Sequence, residues 1–122
     1  MLKSKAHVVP RSWGGSCQTW ELLGGDDLAV FHERMPPGTA EEEHAHGKAR
    51  QFFFVLDGEL SIRVLGRDHM LRRHEGLEIP PGEFHLVRNV SNTTTEFLAI
   101  AHPTTRGDAH KLREEDDDHD AG

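Results

Sequence analysis

The stretch Gly38-Thr39-Ala40-Glu41-Glu42-Glu43-His44-Ala45-His46-Gly47-Lys48-Ala49-Arg50-Gln51, continuing through Phe52-Phe53-Phe54-Val55-Leu56-Asp57 to Gly58, decides how the chain is read. Its second half is dense in aromatic and branched residues. It stops at Asp57-Gly58, a turn that leads the chain directly into the next strand. Its first half follows Pro36-Pro37, which ends any preceding strand, and sets two histidines two positions apart. On an extended chain, residues two apart point to the same side, so His44 and His46 face one way. Each neutral imidazole can offer a nitrogen to a divalent metal, although an isolated His-x-His is weak evidence for one.

Working outward, strands are expected over residues 18–22, 28–35, 50–56, 59–65, 69–72, 77–79, 84–88 and 96–102. Turns are read at Gly24-Gly25-Asp26-Asp27, Gly66-Arg67-Asp68 and Pro80-Pro81-Gly82, and residues 1–16 read as irregular. Short strands recurring about every ten residues are expected of an all-β sandwich or small barrel. Parity refines the strand at 50–56. If Gln51 faces inward, so do Phe53 and Val55, leaving Phe52, Phe54 and Leu56 together on the outer face. Those three could pack under an N-terminal segment carrying Trp13 and Trp20. A homodimer interface is the favoured expectation. Leu60, Ile62 and Val64 share the core face of the next strand. His32 and Arg34 share one face of theirs, inward or outward.

With 122 residues the chain has room for one domain. The net charge of −7 comes largely from the far end, where residues 114–120 carry six acids and no Lys or Arg. The preceding residues hold 15 acids against 14 bases. A near-neutral body with an acidic, mobile tail argues against a nucleic-acid partner. The lone cysteine, Cys17, forbids an intrachain disulfide and reads as a buried apolar residue in a reducing compartment. With no secretory apolar core or membrane-length stretch, the expected location is the cytoplasm, with no membrane association. The expected division is an N-terminal segment over 1–27, a barrel over 28–103 and a C-terminal segment over 104–122.

Residues 38–58 resemble the first motif of the cupin superfamily, G-x5-H-x-H-x3-4-E-x6-G, with Gln51 standing where the family has glutamate. Pro80, Gly82, His85 and Asn89 resemble the second motif, G-x5-P-x-G-x2-H-x3-N, with His74 in place of its opening glycine. Fifteen residues separate the motifs, a spacing similar to that of small single-domain bacterial cupins. The resemblance implies a double-stranded β-helix, or jelly-roll, barrel. It implies one divalent transition-metal ion per chain, Fe, Mn, Ni, Zn or Cu, held by His44, His46, His85 and Gln51. It also implies that Gly38, Gly58, Pro80 and Gly82 shape turns, and Asn89 reads as fixing one.

Gln51 alters the charge of such a site. Three imidazoles and a carboxylate leave a divalent ion at +1, whereas an amide leaves +2 and favours anionic ligands. Phe53, Val55 and Val87 are expected to wall a mostly apolar pocket for a small-molecule ligand. Beyond the ligands no acid or base stands out. Three function classes stay open: a metal-dependent enzyme of dioxygenase, isomerase or lyase type acting on a small anionic or oxygen-rich molecule; a non-enzymatic sensor or binding module; and a purely structural dimeric barrel.

Overall fold

A computed structural model describes residues 1–111. The acidic stretch at 114–120 lies outside the described residues. These residues form eleven strands, no helix and two antiparallel sheets. In chain order the strands are β1 Arg11–Trp13, β2 Cys17–Gly24, β3 Ala29–Met35, β4 His44–His46, β5 Arg50–Asp57, β6 Leu60–Val64, β7 Arg67–Leu71, β8 Gly76–Ile79, β9 His85–Arg88, β10 Thr95–His102 and β11 Ala109–Lys111. One sheet has the order β1-β2-β3-β10-β5-β8 and the other β11-β4-β9-β6-β7. Strands distant in sequence are neighbours in both, as an all-β jelly roll requires.

Alternation along the strands puts the core between the sheets. In β5, Gln51, Phe53 and Val55 are buried while Arg50 and Phe52 are exposed. In β10, Thr95, Phe97, Ala99 and Ala101 are buried. The facing sheet contributes Leu60, Ile62 and Val87, each 0% exposed, with Val64 packed at the margin. Cys17 is also fully buried in this core, and burial pushes its thiol up.

Several details depart from expectation. Residues 1–16 contain β1, which the turn after Trp13 folds back onto β2, pairing Trp13 with Cys17. The hairpin between β6 and β7 is tighter than Gly66-Arg67-Asp68. Val64 pairs with Arg67 across Leu65 and Gly66, both at positive φ, 55° and 74°. That is the pattern of a two-residue turn whose twist matches its strands. His74, in the place of the motif's glycine, does take a left-handed conformation, φ 67°. Its ring stacks on Phe54 at 6.2 Å and its N–H donates to the Val55 carbonyl at 2.8 Å. Phe54 and Leu56 are accordingly half-buried, and only Phe52, at 39%, stays open among the three outward residues of β5. Neither tryptophan covers them. Trp13 packs against the core, and Trp20 pairs with His32 on the far side of β3.

Asn89 fixes the turn between β9 and β10. Its Nδ2 donates to the Met35 and Thr93 carbonyls, both at 2.8 Å, and its Oδ1 accepts from the Ser91 backbone and hydroxyl.

Candidate functional site

β4 is only three residues long and gains its pairing from both sides. β11 pairs along it, Ala109 opposite His46 and Lys111 opposite His44, and β9 sets His85 directly opposite His44. This ladder brings together two histidines far apart in the chain. The ring centroids of His44 lie 4.7 Å from His46 and 4.6 Å from His85. One ring nitrogen from each of the three lies within 4.8 Å of the others.

Hydrogen bonds decide which nitrogens are available. His44 Nδ1 lies 2.7 Å from the Glu42 carbonyl, and His85 Nδ1 lies 3.0 Å from the Glu83 carbonyl. A carbonyl only accepts, so both Nδ1 atoms carry the hydrogen and both Nε2 atoms carry a lone pair. His85 Nε2, His46 Nδ1 and Gln51 Oε1 are buried with no hydrogen-bond partner. His85 Nε2 and Gln51 Oε1 are acceptors without donors, which is costly, and a cation is the partner that satisfies them together. Burial holds His46 and His85 down at about 4, with the neighbouring His44 adding to both shifts. Both are therefore neutral imidazoles at physiological pH, the form that ligates a metal. The donor set fits a divalent transition metal.

The turn after His46 is held from the C-terminal side. The Asp108 carboxylate accepts from the backbone N–H groups of Gly47, Lys48 and Ala49 at 2.9–3.1 Å. Burial works against that charge, yet these N–H groups keep its carboxyl below the usual range.

A cavity of about 190 Å³ opens beside the histidines. His44, His46, Gln51 and Phe53 line it, as expected from parity, together with Phe31, Ala99 and Ala101. His32 and Arg34 do not. They lie on the outer face of β3, where His32 Nε2 meets Glu96 Oε1 at 2.6 Å. Their neighbour Glu33 faces the cavity instead, and with Glu41 and Arg11 it forms a polar wall that the sequence reading missed. Glu33 could have been found by parity, because a buried Met35 places Glu33 on the same face. Glu41 and Arg11 carried no such signal. Glu41 comes from the irregular run after Gly38, laid along β9 by its N–H to the Val87 carbonyl at 2.9 Å, and Arg11 from an unrecognised strand. Burial raises both carboxyls to about 7; for Glu33 the Thr19 hydrogen bond and Arg11 work against that rise and Glu41 adds to it.

This fold and this histidine cluster define the class, and the chain belongs to the cupin family: the family model described as the cupin domain matches residues 31–101. Over 88 residues the chain is 31% identical to the tetracenomycin polyketide synthase protein TcmJ of Streptomyces glaucescens, covering 70% of this chain and 59% of that protein. Over 67 residues it is 30% identical to an oxalate-binding protein of Thermotoga maritima, covering 55% of each. The matched regions thus span little more than half of these relatives. A solved Thermotoga maritima structure described as a predicted oxalate decarboxylase superposes with a TM-score of 0.78, covering 85% of this chain and 100% of that one. Its 21% identity makes this a likeness of fold alone.

Proposed function

We propose that this cupin binds one divalent transition-metal ion through His44, His46, His85 and Gln51 and uses it to act on a small anionic or oxygen-rich molecule. The observation that carries the reading is the set of buried polar atoms without partners around the histidines: the acceptors His85 Nε2 and Gln51 Oε1, and the ring nitrogen His46 Nδ1. A bound divalent ion supplies Lewis-acid chemistry, or electron transfer if the metal is redox-active. The chain's own residues supply the rest. The Glu42 and Glu83 carbonyls orient two of the imidazoles, and the Asp108 clamp holds the turn that follows the third. Phe31, Phe53, Ala99 and Ala101 supply the apolar part of the cavity lining.

Elemental analysis of protein purified without chelator or histidine tag tests the metal. One equivalent per chain is expected, falling to a small fraction in a His44→Ala, His46→Ala double variant. Full occupancy in that variant overturns the ligand assignment. A second reading, a binding module without turnover, draws on the relative named as an oxalate-binding protein. Tight ligand binding by metal-loaded protein, with the ligand recovered unchanged, would favour it.

We also propose a homodimer through the outer face around Phe52, in the cytoplasm. The open Phe52 ring supports the first and the single buried cysteine the second. Light scattering at twice the 13.7 kDa chain mass is expected. A clean monomer would overturn the dimer.

A further inference from the structure

We propose that Glu33 is the residue through which the cavity exchanges a proton with its ligand, Oε1 committed as an acceptor to Thr19 and Oε2 left to a small oxyanion held at the histidine cluster. The inference rests on the metal-site reading above and adds a role that the metal ligands do not fill.

The direction of a short hydrogen-bond chain carries the argument. Trp13 Nε1 lies 2.7 Å from Thr19 Oγ1, and Thr19 Oγ1 lies 2.5 Å from Glu33 Oε1. An indole nitrogen can only donate. Thr19 therefore accepts from Trp13 and spends its single hydroxyl hydrogen on Glu33. Oε1 is an acceptor whether or not Glu33 is ionised, so a proton on Glu33 sits on Oε2. The chain is built into the fold, because β1 and β2 pair across a tight turn and β2 pairs Thr19 with Glu33 on β3. Trp13 and Thr19 are positioning residues that orient Glu33, whereas Glu41, the other acid lining the cavity, is not held by this hydrogen-bond chain.

The surroundings name the ligand class. Glu33 lines the same cavity as His44, His46 and Gln51. Arg11 lines it too, acting on Glu33 through its charge with no close ion pair among the described residues, and presents a cation to an anionic group. At about 190 Å³ the cavity is below the ~300 Å³ at which drug-sized pockets begin, which suits a small organic acid. The charged and titratable groups facing Glu33 are Arg11 from β1, Cys17 from β2, Glu41 from the run after Gly38 and, in the same cavity lining, His44 and His46 from β4. Burial raises Glu33 to about 7, so both its forms are available at neutral pH.

The step balances without an oxidant or reductant. The bond between Glu33 Oε2 and its hydrogen breaks, a bond from that hydrogen to a ligand oxyanion forms, and Glu33 is left as carboxylate. The reverse step takes the proton of a ligand hydroxyl. At equilibrium the same geometry couples anion binding to protonation of Glu33.

Oxalate, titrated calorimetrically into zinc-loaded protein in buffers of different ionisation enthalpy, tests this. Wild type should take up about half a proton at pH 7, where a group titrating near 7 is half protonated. Its affinity should fall roughly tenfold per pH unit above 7. Glu33→Gln keeps a donor and an acceptor but cannot exchange a proton, so both effects should vanish while oxalate still binds. Thr19→Val leaves Glu33 in place and removes its donor, and should move the midpoint of the pH dependence upward. Unchanged proton uptake in Glu33→Gln, or its loss in Glu41→Gln alone, overturns the assignment to Glu33. Failure of wild type to take up zinc or oxalate overturns the metal-site reading on which it rests.

Discussion

Glu33→Gln in the metal-free protein should stabilise the fold at alkaline pH and leave it unchanged at acid pH. Glu33 is 8% exposed, and burial raises its carboxyl from 4.5 to about 7. The folded state thus holds this proton more tightly than the unfolded chain. The stability it contributes is fully present below pH 4.5 and is lost as pH rises through 7. A gap of about 2.5 pH units at about 1.4 kcal/mol each corresponds to about 3 kcal/mol. The substituted amide stays neutral throughout, and its oxygen can still accept from Thr19, so the variant escapes the loss. Urea unfolding at pH 4.5 and pH 8.5 should give equal stabilities at the first and an advantage of about 3 kcal/mol for the variant at the second. For a domain of this size that is roughly 10 °C in Tm. A difference that is the same at both pH values would refute the buried-acid reasoning, because only a titrating group makes the effect depend on pH.

The histidines produce the opposite limb. His46 and His85, held at about 4 against an ordinary 6.5, contribute stability that is present above 6.5 and lost as pH falls through 4, so metal-free protein should weaken by about 3 kcal/mol per histidine across that window. His85→Gln should flatten that limb in a urea series. Gly58 has φ 86°, and an added Cβ would lie 2.8 Å from Thr94 O and Thr95 Oγ1, so Gly58→Ala should cost roughly 2–3 kcal/mol by the same assay. Gln51→Glu lowers the charge of a loaded site by one. Metal should bind more tightly and oxalate less tightly in paired titrations, and no change in either would remove Gln51 from the ligand set.

The fold was legible because its signals are local. Alternation in 50–56, the Asp57-Gly58 turn and the Pro80-Pro81-Gly82 stop each concern residues a few positions apart, and the inward placement of Gln51, Phe53 and Val55 follows from strand geometry. Where short-range signals were weak, reading failed. β1, β4 and β11 have three residues each, too few to show alternation, and β4 and β11 pair with strands far along the chain. The choice between His32 and Glu33 turned on parity relative to a core not yet located. On the outer face His32 meets Glu96, a residue 64 positions away.

The sequence alone determined an all-β chain, its main strands, and two histidine motifs whose spacing marks the family. These depend on periodicity and turn chemistry, which each segment carries by itself. Only the tertiary structure decided that β9 lays His85 against His44 and that β11 braces the strand between them. It alone decided that Trp13, Thr19 and Glu33 line up, and that Glu41 and Arg11 reach the same cavity. Those are matters of register between strands, near or far in the chain, and of how two sheets close over one core, and no single segment's pattern encodes them.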